Sequence, residues 1–301
     1  MQKVVFTLSL LLLSSISMAN VKTINAKKNI NAPPETLRVI YPKTMPNLNE
    51  ETLYPLILLR TALERSGYKF TIDPASELLG QNRVLKEIET GSGINVNWSM
   101  TNIDRENRLL PLRTPIFKGL FGWRLMFTTQ KQLPYLSQVK TFEDLKNIIF
   151  IQGEDWPDTF ILRDNDLTVA TAQDFESLFV MLDKGRGQLF PRSLLEIESE
   201  KNFYEKKIDL VVLPQLMLKY QSPIYFFFNK DNPEIAKAVN EGLKVMRKSG
   251  EFDELFFKYN GDFIKNAHLH DKIIIELKNN QLPKLTPVDD KSLWLSLDQV
   301  P

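Results

Sequence analysis

Apolar and polar positions alternate in short bursts along this chain, and the period shifts between that of a strand and that of a helix. Leu37–Tyr41 is a β-prone run closed by Pro42. Thr52–Ser66 reads as a helix. Pro55 would break a helix interior, but with Thr52 as N-cap it falls in the first turn, where its missing N–H is no loss, and Gly67 supplies the stop. Val84, Leu85 and Ile88 mark a second helix ending at Gly91 and Gly93. Ile94, Val96 and Trp98 then alternate with polar residues as a strand does, and Gly119–Thr129 is a longer β-prone run.

The middle of the chain repeats one pattern. Thr141 to Asp144 predicts a capping box, a short helix and then a strand at Ile148–Ile151. Thr171 to Asp174 is a second such box, opening a helix with Phe175, Leu178, Phe179 and Leu182 on one face and Gly185 as its stop. Ser193 to Glu196 is a third, and the strands Leu189–Phe190 and Leu210–Leu213 fall between helices. Ser222–Phe228 is β-prone again. Asn232 and Pro233 then cap a helix with Ile235, Val239, Leu243 and Met246 as its apolar stripe, and the stripe is repeated at Phe252, Leu255, Phe256 and Tyr259. An amphipathic piece at Asp271–Leu277 precedes a Pro-containing tail in which Trp294 should dock on the body. Strand–helix alternation of this kind predicts an α/β fold with mainly parallel sheets covered on both faces.

Composition narrows the chemistry. The chain has 301 residues, 38 Lys plus Arg against 37 Asp plus Glu, two His and no Cys. Balanced charge argues against a nucleic-acid footprint. Two His, His268 and His270, without partners, and no thiol, argue against a transition-metal centre or a Cys nucleophile, so no cofactor is expected. The first nineteen residues have Lys3, an apolar run Val4–Leu13 and the small residues Ser17 and Ala19 at the −3 and −1 positions of a cleavage site. They predict a signal peptide, 1–19, with a polar lead-in at 20–36, no Cys for a lipid anchor and export to a periplasm.

Four stretches together resemble the type 2 periplasmic solute-binding proteins, in the amino-acid-binding branch of bacterial family 3. Ser99 to Arg105, followed by Arg113 to Phe117, is similar to the family's "G-M-T-x-T-x-E-R … F-S-x-P-Y" segment. Thr141 to Lys146 with Ile148 to Gly153 resembles its "T-x-x-D-L-K-G-K-x-V-G-V-x-x-G" opening of the second lobe. Gly185 to Pro191 resembles its "G-R-x-D-A-x" strand, and Asn232 to Tyr259 its closing helices. The resemblance implies a two-lobed periplasmic-binding-protein-like II fold, with two mixed, mainly parallel sheets joined by two crossover strands. Lobe one would be 37–124 plus 222–301 and lobe two 125–221, with crossovers at 119–129 and near 221–228.

Ligands in open α/β sheets sit beyond the carboxyl ends of strands, which directs attention to the loops there. Tyr41 either stacks on a ligand or packs on lobe one. The resemblance implies that the backbone and hydroxyls of Met100 and Thr101 grip the solute and that an arginine nearby clamps a carboxylate, with Trp98 and Phe117 as further candidates on the same wall. An ungapped match from Met100 to Pro115 puts the family's arginine on Glu106, with Arg105 one place early and Arg108 two late. Arg105 is therefore the candidate, against the alternative of a solvated face. Gly153, Asp155, Trp156 and Thr159 form the strand-to-helix joint of lobe two, where first-turn N–H groups favour an anion. Arg192 would suit an anionic ligand or flank a helix cap, while Gln188 stands where the family has Asp, and Asp209 lies at the wrong end of a strand to replace it.

The resemblance implies a non-enzymatic, monomeric binding protein that closes on a small polar solute, amino-acid-like or anionic, and delivers it to the inner-membrane permease of an ABC-type transporter. Two alternatives share the fold: a sensory module serving a membrane receptor, kinase or cyclase, and a dehydratase-like enzyme relying on Glu154 or Asp155.

Overall fold

In the computed structural model, residues 36–44 and 49–300 are described. The expected leader and all of the lead-in but Thr36 lie outside the described residues. The strands are β1 (Leu37–Tyr41), β2 (Phe70–Pro74), β3 (Val96–Met100), β4 (Leu110–Leu112), β5 (Trp123–Thr129), β6 (Ile149–Gly153), β7 (Thr168–Ala172), β8 (Phe190–Ser193), β9 (Leu210–Val212), β10 (Leu216–Lys219), β11 (Ile224–Phe228) and β12 (Ile273–Glu276). The helices are α1 (Tyr54–Arg65), α2 (Gln81–Thr90), α3 (Ile103–Arg108), α4 (Leu133–Leu136), α5 (Phe142–Leu145), α6 (Pro157–Asp164), α7 (Phe175–Asp183), α8 (Ile197–Tyr204), α9 (Glu234–Ser249) and α10 (Glu251–Asn266).

Helix boundaries follow the local chemistry, with three departures from expectation. Pro55 does lie in the first turn of α1, but Leu53 is the N-cap, and Thr52 belongs to a short 3-10 turn before it. The box at Thr141 and Asp144 is complete, each side chain bonding the other's backbone. The second box does not form. Thr171 is spent inside β7, and Asp174 itself caps α7 by accepting the Ser177 N–H. At the third, Ser193 ends β8 and Glu196 still accepts its N–H at 3.2 Å, but α8 begins only at Ile197.

The pairing is mixed, as expected, although the antiparallel share exceeds what strand–helix alternation suggests. β1–β2, β6–β7 and β10–β12 are parallel, whereas β3 and β4 flank β11 antiparallel, and β5 pairs antiparallel with β8, β9 and β10. The antiparallel ladders come from strands that the chain revisits after passing between sheets: it leaves the β3/β4/β11 sheet before β5 and returns to it from β10 through 220–223. The amphipathic piece at Asp271–Leu277 forms β12, which extends the β5/β10 sheet rather than that of β11.

The α1, α9 and α10 helices pack together beside β1 and β11. Closest approach is at Gly242 of α9, where any Cβ would overlap the Ala62 carbonyl of α1. The stripe expected on α9 is the buried one: Val239, Leu243 and Met246 are at most 1% exposed. Among the described residues no helix is long and apolar enough to cross a membrane, and no group of three or more His, Cys, Asp and Glu is placed to hold a metal ion.

The segment after β12 runs back past the end of α6 to the residues before β5. Asn165, just past α6, brackets Lys278, donating to its carbonyl at 2.7 Å and accepting its N–H at 3.0 Å. Further on, Leu295 donates to the Lys118 carbonyl at 2.8 Å. Lys118 is buried and binds Asp253 at 2.7 Å and the Ser292 carbonyl at 3.1 Å. Trp294 lies so close over Gly119 that a Cβ there would meet its ring at 2.6 Å, and Gly119 has a left-handed φ of 77°. Glycine is thus required both by space and by backbone conformation.

Candidate functional site

A cleft of about 430 Å³, of small-molecule size, opens beyond the ends of β3 and β6. One wall comes from β3, α3 and the start of α1, and the other from the start of α6, β8 and the turn after it. Of the residues singled out in the sequence, Trp98, Met100, Arg105, Phe117, Trp156 and Arg192 line it. Pro157, Phe121 and Ile224 add apolar surface, and Arg124, Asp158, Glu196 and Gln81 add polar groups that the sequence does not point to as site residues.

Five expected residues lie elsewhere. Tyr41 is 2% exposed and donates its hydroxyl to Glu50 at 2.6 Å, a contact that with burial holds the phenol above its usual range. It packs in the core rather than on the cleft, the second of the two roles open to it. Thr101 is buried and donates to Glu106 at 2.8 Å. Thr159 is buried and donates to the Gly153 carbonyl at 2.6 Å, tying the start of α6 to the end of β6. Gly153 lies beneath the Trp156 ring, where a Cβ would come within 2.5 Å of it. Asp155 is exposed on the turn, as is Glu154. Gln188 pairs with the Ile149 backbone and Asp209 is exposed, so neither lines the cleft.

Arg105 is placed by α3. Asn102 caps that helix by accepting the Arg105 N–H at 2.8 Å, and the helix is short enough that its first turn sets the direction of the side chain. The guanidinium is buried, 5% exposed overall. It donates to Ser99 Oγ at 2.5 Å, the Met100 carbonyl at 2.6 Å and Gln81 Oε1 at 2.7 Å. A guanidinium has five N–H groups, so two remain without a protein acceptor among the described residues. No carboxylate of the described residues lies within salt-bridge distance of it. Burial, assisted by repulsion from Arg108, pulls its pKa down to about 10, which leaves it charged at neutral pH. Glu106, the next residue, faces away and is taken by Thr101 and by Arg113 at 2.5 Å. Arg108 pairs with Asp104 and Glu89 at the surface.

The opposite wall holds two guanidinium groups in a different state. Arg124, 2% exposed, meets Asp158 at 2.5 Å and Glu196 at 3.5 Å, and Tyr220 donates its hydroxyl to the same Asp158 oxygen. Burial lowers the Arg124 pKa, but Asp158, Tyr220 and Glu196 outweigh it and the net shift is upward. Arg192 binds Glu200 through Nε at 2.7 Å and Nη2 at 2.6 Å and meets Glu196 at 3.0 Å. Its charge also stands over the Trp156 ring at 4.9 Å and over Phe175 and Phe190 at 5.4 Å each. Both arginines are therefore paired with acids, whereas Arg105 is not.

Solved structures share this architecture. The probable amino-acid ABC transporter extracellular-binding protein ytmK from Bacillus subtilis superposes with a TM-score of 0.54 at 18% identity, over 76% of this chain and 99% of that one. An ancestral arginine-binding protein bound to arginine gives 0.52 at 17% identity, over 74% and 97%. The GluR0 ligand-binding core from Nostoc punctiforme in complex with L-glutamate gives 0.50 at 15% identity, over 74% and 98%. No protein-family model matches the chain, and no curated protein matches it in sequence. At these identities the likeness establishes the fold: an α/β, two-lobed, periplasmic-binding-protein-like architecture, present over nearly the whole length of each neighbour.

Proposed function

We propose that this chain is a binding protein that captures a small carboxylate-bearing solute in the cleft, with Arg105 as the group that holds the carboxylate. The observation that carries this is the state of Arg105: buried, charged, lining the cleft, with two N–H groups unspent and no carboxylate within salt-bridge distance among the described residues. Retaining a buried charge without a partner is costly, and a carboxylate entering the cleft would supply that partner. The lobes would be 37–124 with 222–301 and 125–221, apart from β12, which bonds to β10, and the cleft would close by rotation about the crossovers.

The two solved neighbours described as bound hold arginine and glutamate, and ytmK is described as part of an ABC transporter, which favours delivery to a permease from an exported, soluble state. Turnover is not part of the proposal. Glu154 and Asp155, the acids a dehydratase reading would use, are exposed and outside the cleft lining, and the acids that do line it are held by arginines.

Native mass spectrometry of gently purified protein should find a small acid bound one per chain. Added carboxylates that bind should raise the melting temperature as mass action requires. Replacing Arg105 by Gln should weaken that binding at least about tenfold, the loss of one charge-assisted contact. Equal affinity in the Arg105→Gln protein would remove the basis of the proposal.

A further inference from the structure

We infer that the solute carries a carboxylate on an apolar body and lacks an ammonium group, so that the cleft prefers a simple carboxylic acid to the α-amino acid of the same skeleton. This deepens the proposed function and rests on it. The charged residues that line the cleft are Arg105, Arg124, Asp158, Arg192 and Glu196. The strongest acceptor for an amino acid's ammonium is an acid, and Asp158 and Glu196 are the acids of that lining.

Both acids are already paired with arginines. Asp158 lies 2.5 Å from Arg124 and accepts from Tyr220 on the same oxygen. Glu196 reaches Arg192 at 3.0 Å with one oxygen, while the other reaches Arg124 at 3.5 Å and accepts the Ser193 N–H at 3.2 Å. Glu200, which does not line the cleft, is engaged by Arg192 through both of its oxygens.

An ammonium approaching either acid would stand a few ångströms from a guanidinium of the same sign, in a site where water screens little. Taking Asp158 for itself would leave the buried Arg124 with Glu196 at 3.5 Å as its remaining acid. The rest of the lining offers no cation acceptor of comparable strength. It is mainly apolar and aromatic, with Leu53, Trp98, Phe117, Phe121, Trp156 and Ile224 facing the space. On one wall stands an arginine with no acid within ion-pair distance among the described residues, on the other stand acids already bound by arginines, and aromatic surface lies between them: this describes a receptor for an apolar monoanion.

The test compares matched pairs on the protein after unfolding, dialysis and refolding to strip any resident solute. Alanine, leucine, phenylalanine and tryptophan are titrated calorimetrically beside their deamino counterparts propionate, isocaproate, hydrocinnamate and indolepropionate. At least one deamino acid should bind about tenfold or more tighter than its amino acid, no amino acid that binds should do so as tightly as its counterpart, and Arg105→Gln should abolish the difference. An amino acid that binds as tightly as its counterpart, or tighter, overturns the inference. If Arg105→Gln still weakens that binding, the carboxylate site itself stands. Failure of all eight compounds overturns it too, and the proposed function is then judged separately by what native mass spectrometry finds in the unstripped protein.

Discussion

Arg105 and Glu106 are neighbours in the chain and serve opposite ends. Successive residues of a helix point about 100° apart, so the one-place offset that motif matching introduces decides which of them enters the cleft. Matching by sequence alone puts the acid in the arginine's place, and the geometry of α3 turns it the other way. Trp98, Met100, Phe117 and Trp156 were legible because an aromatic or apolar residue beyond a strand end has few other places to go. Arg124 and Asp158 were not. Their partners are each other, Tyr220 and Glu196, all distant in sequence, and the long β-prone run at Gly119–Thr129 gives no sign that Arg124 within it carries a buried charge. Asp158 should matter to stability as much as to the site. With Asp158 replaced by Ala, Arg124 loses its closest acid while buried, and the cost should be about 3–5 kcal/mol in urea denaturation, the range for breaking a buried pair from one side. A loss below about 1 kcal/mol would mean that Glu196 or water takes over the guanidinium.

At the scale of elements, periodicity was a better guide than caps. The stripes on α7, α9 and α10 are where the 3.6-residue pattern puts them, because burying an apolar stripe is the dominant gain available to a helix of this length. Two of the three capping boxes failed because a Ser or Thr three residues before an acid is also an ordinary strand ending, and β7 and β8 claimed Thr171 and Ser193 for their ladders. The crossing of α1 and α9 shows what no local pattern records. Gly242 sits mid-helix, where Ala has the better intrinsic propensity by about 1 kcal/mol. The contact with Ala62 reverses that preference. Gly242→Ala should destabilise the protein by about 1–3 kcal/mol, the usual cost of overpacking, with the loss read from the midpoint of chemical unfolding. A stabilised variant would show that the two helices can part without penalty.

For the whole molecule, the fold class was readable from the order of strands and helices, while the pairing of β12 was not. A four-residue strand after the last helix could have joined either sheet, and only the tertiary position of β10 selects one. The consequence is a C-terminal strap anchored at Lys278 beside α6 and again at Lys118 and Gly119 before β5. Trp294 packs over Gly119 just before β5. Trp294→Ala should cost about 3 kcal/mol, the lower end for removing a packed indole because the ring is only half-buried. Guanidinium titration checks this, and an unchanged midpoint would mean that the strap lies on the surface without holding it.

The same placement gives the molecule an internal optical gauge. Its four tryptophans are Trp98 and Trp156 in the cleft, Trp123 at the first position of β5 and Trp294 over Gly119. None reports from a remote helix or an outer loop. Tryptophan emission from this protein is therefore confined to the cleft and the segments beside it, and if the proposed solute binds and the proposed lobes rotate, its wavelength and intensity should follow without any attached dye.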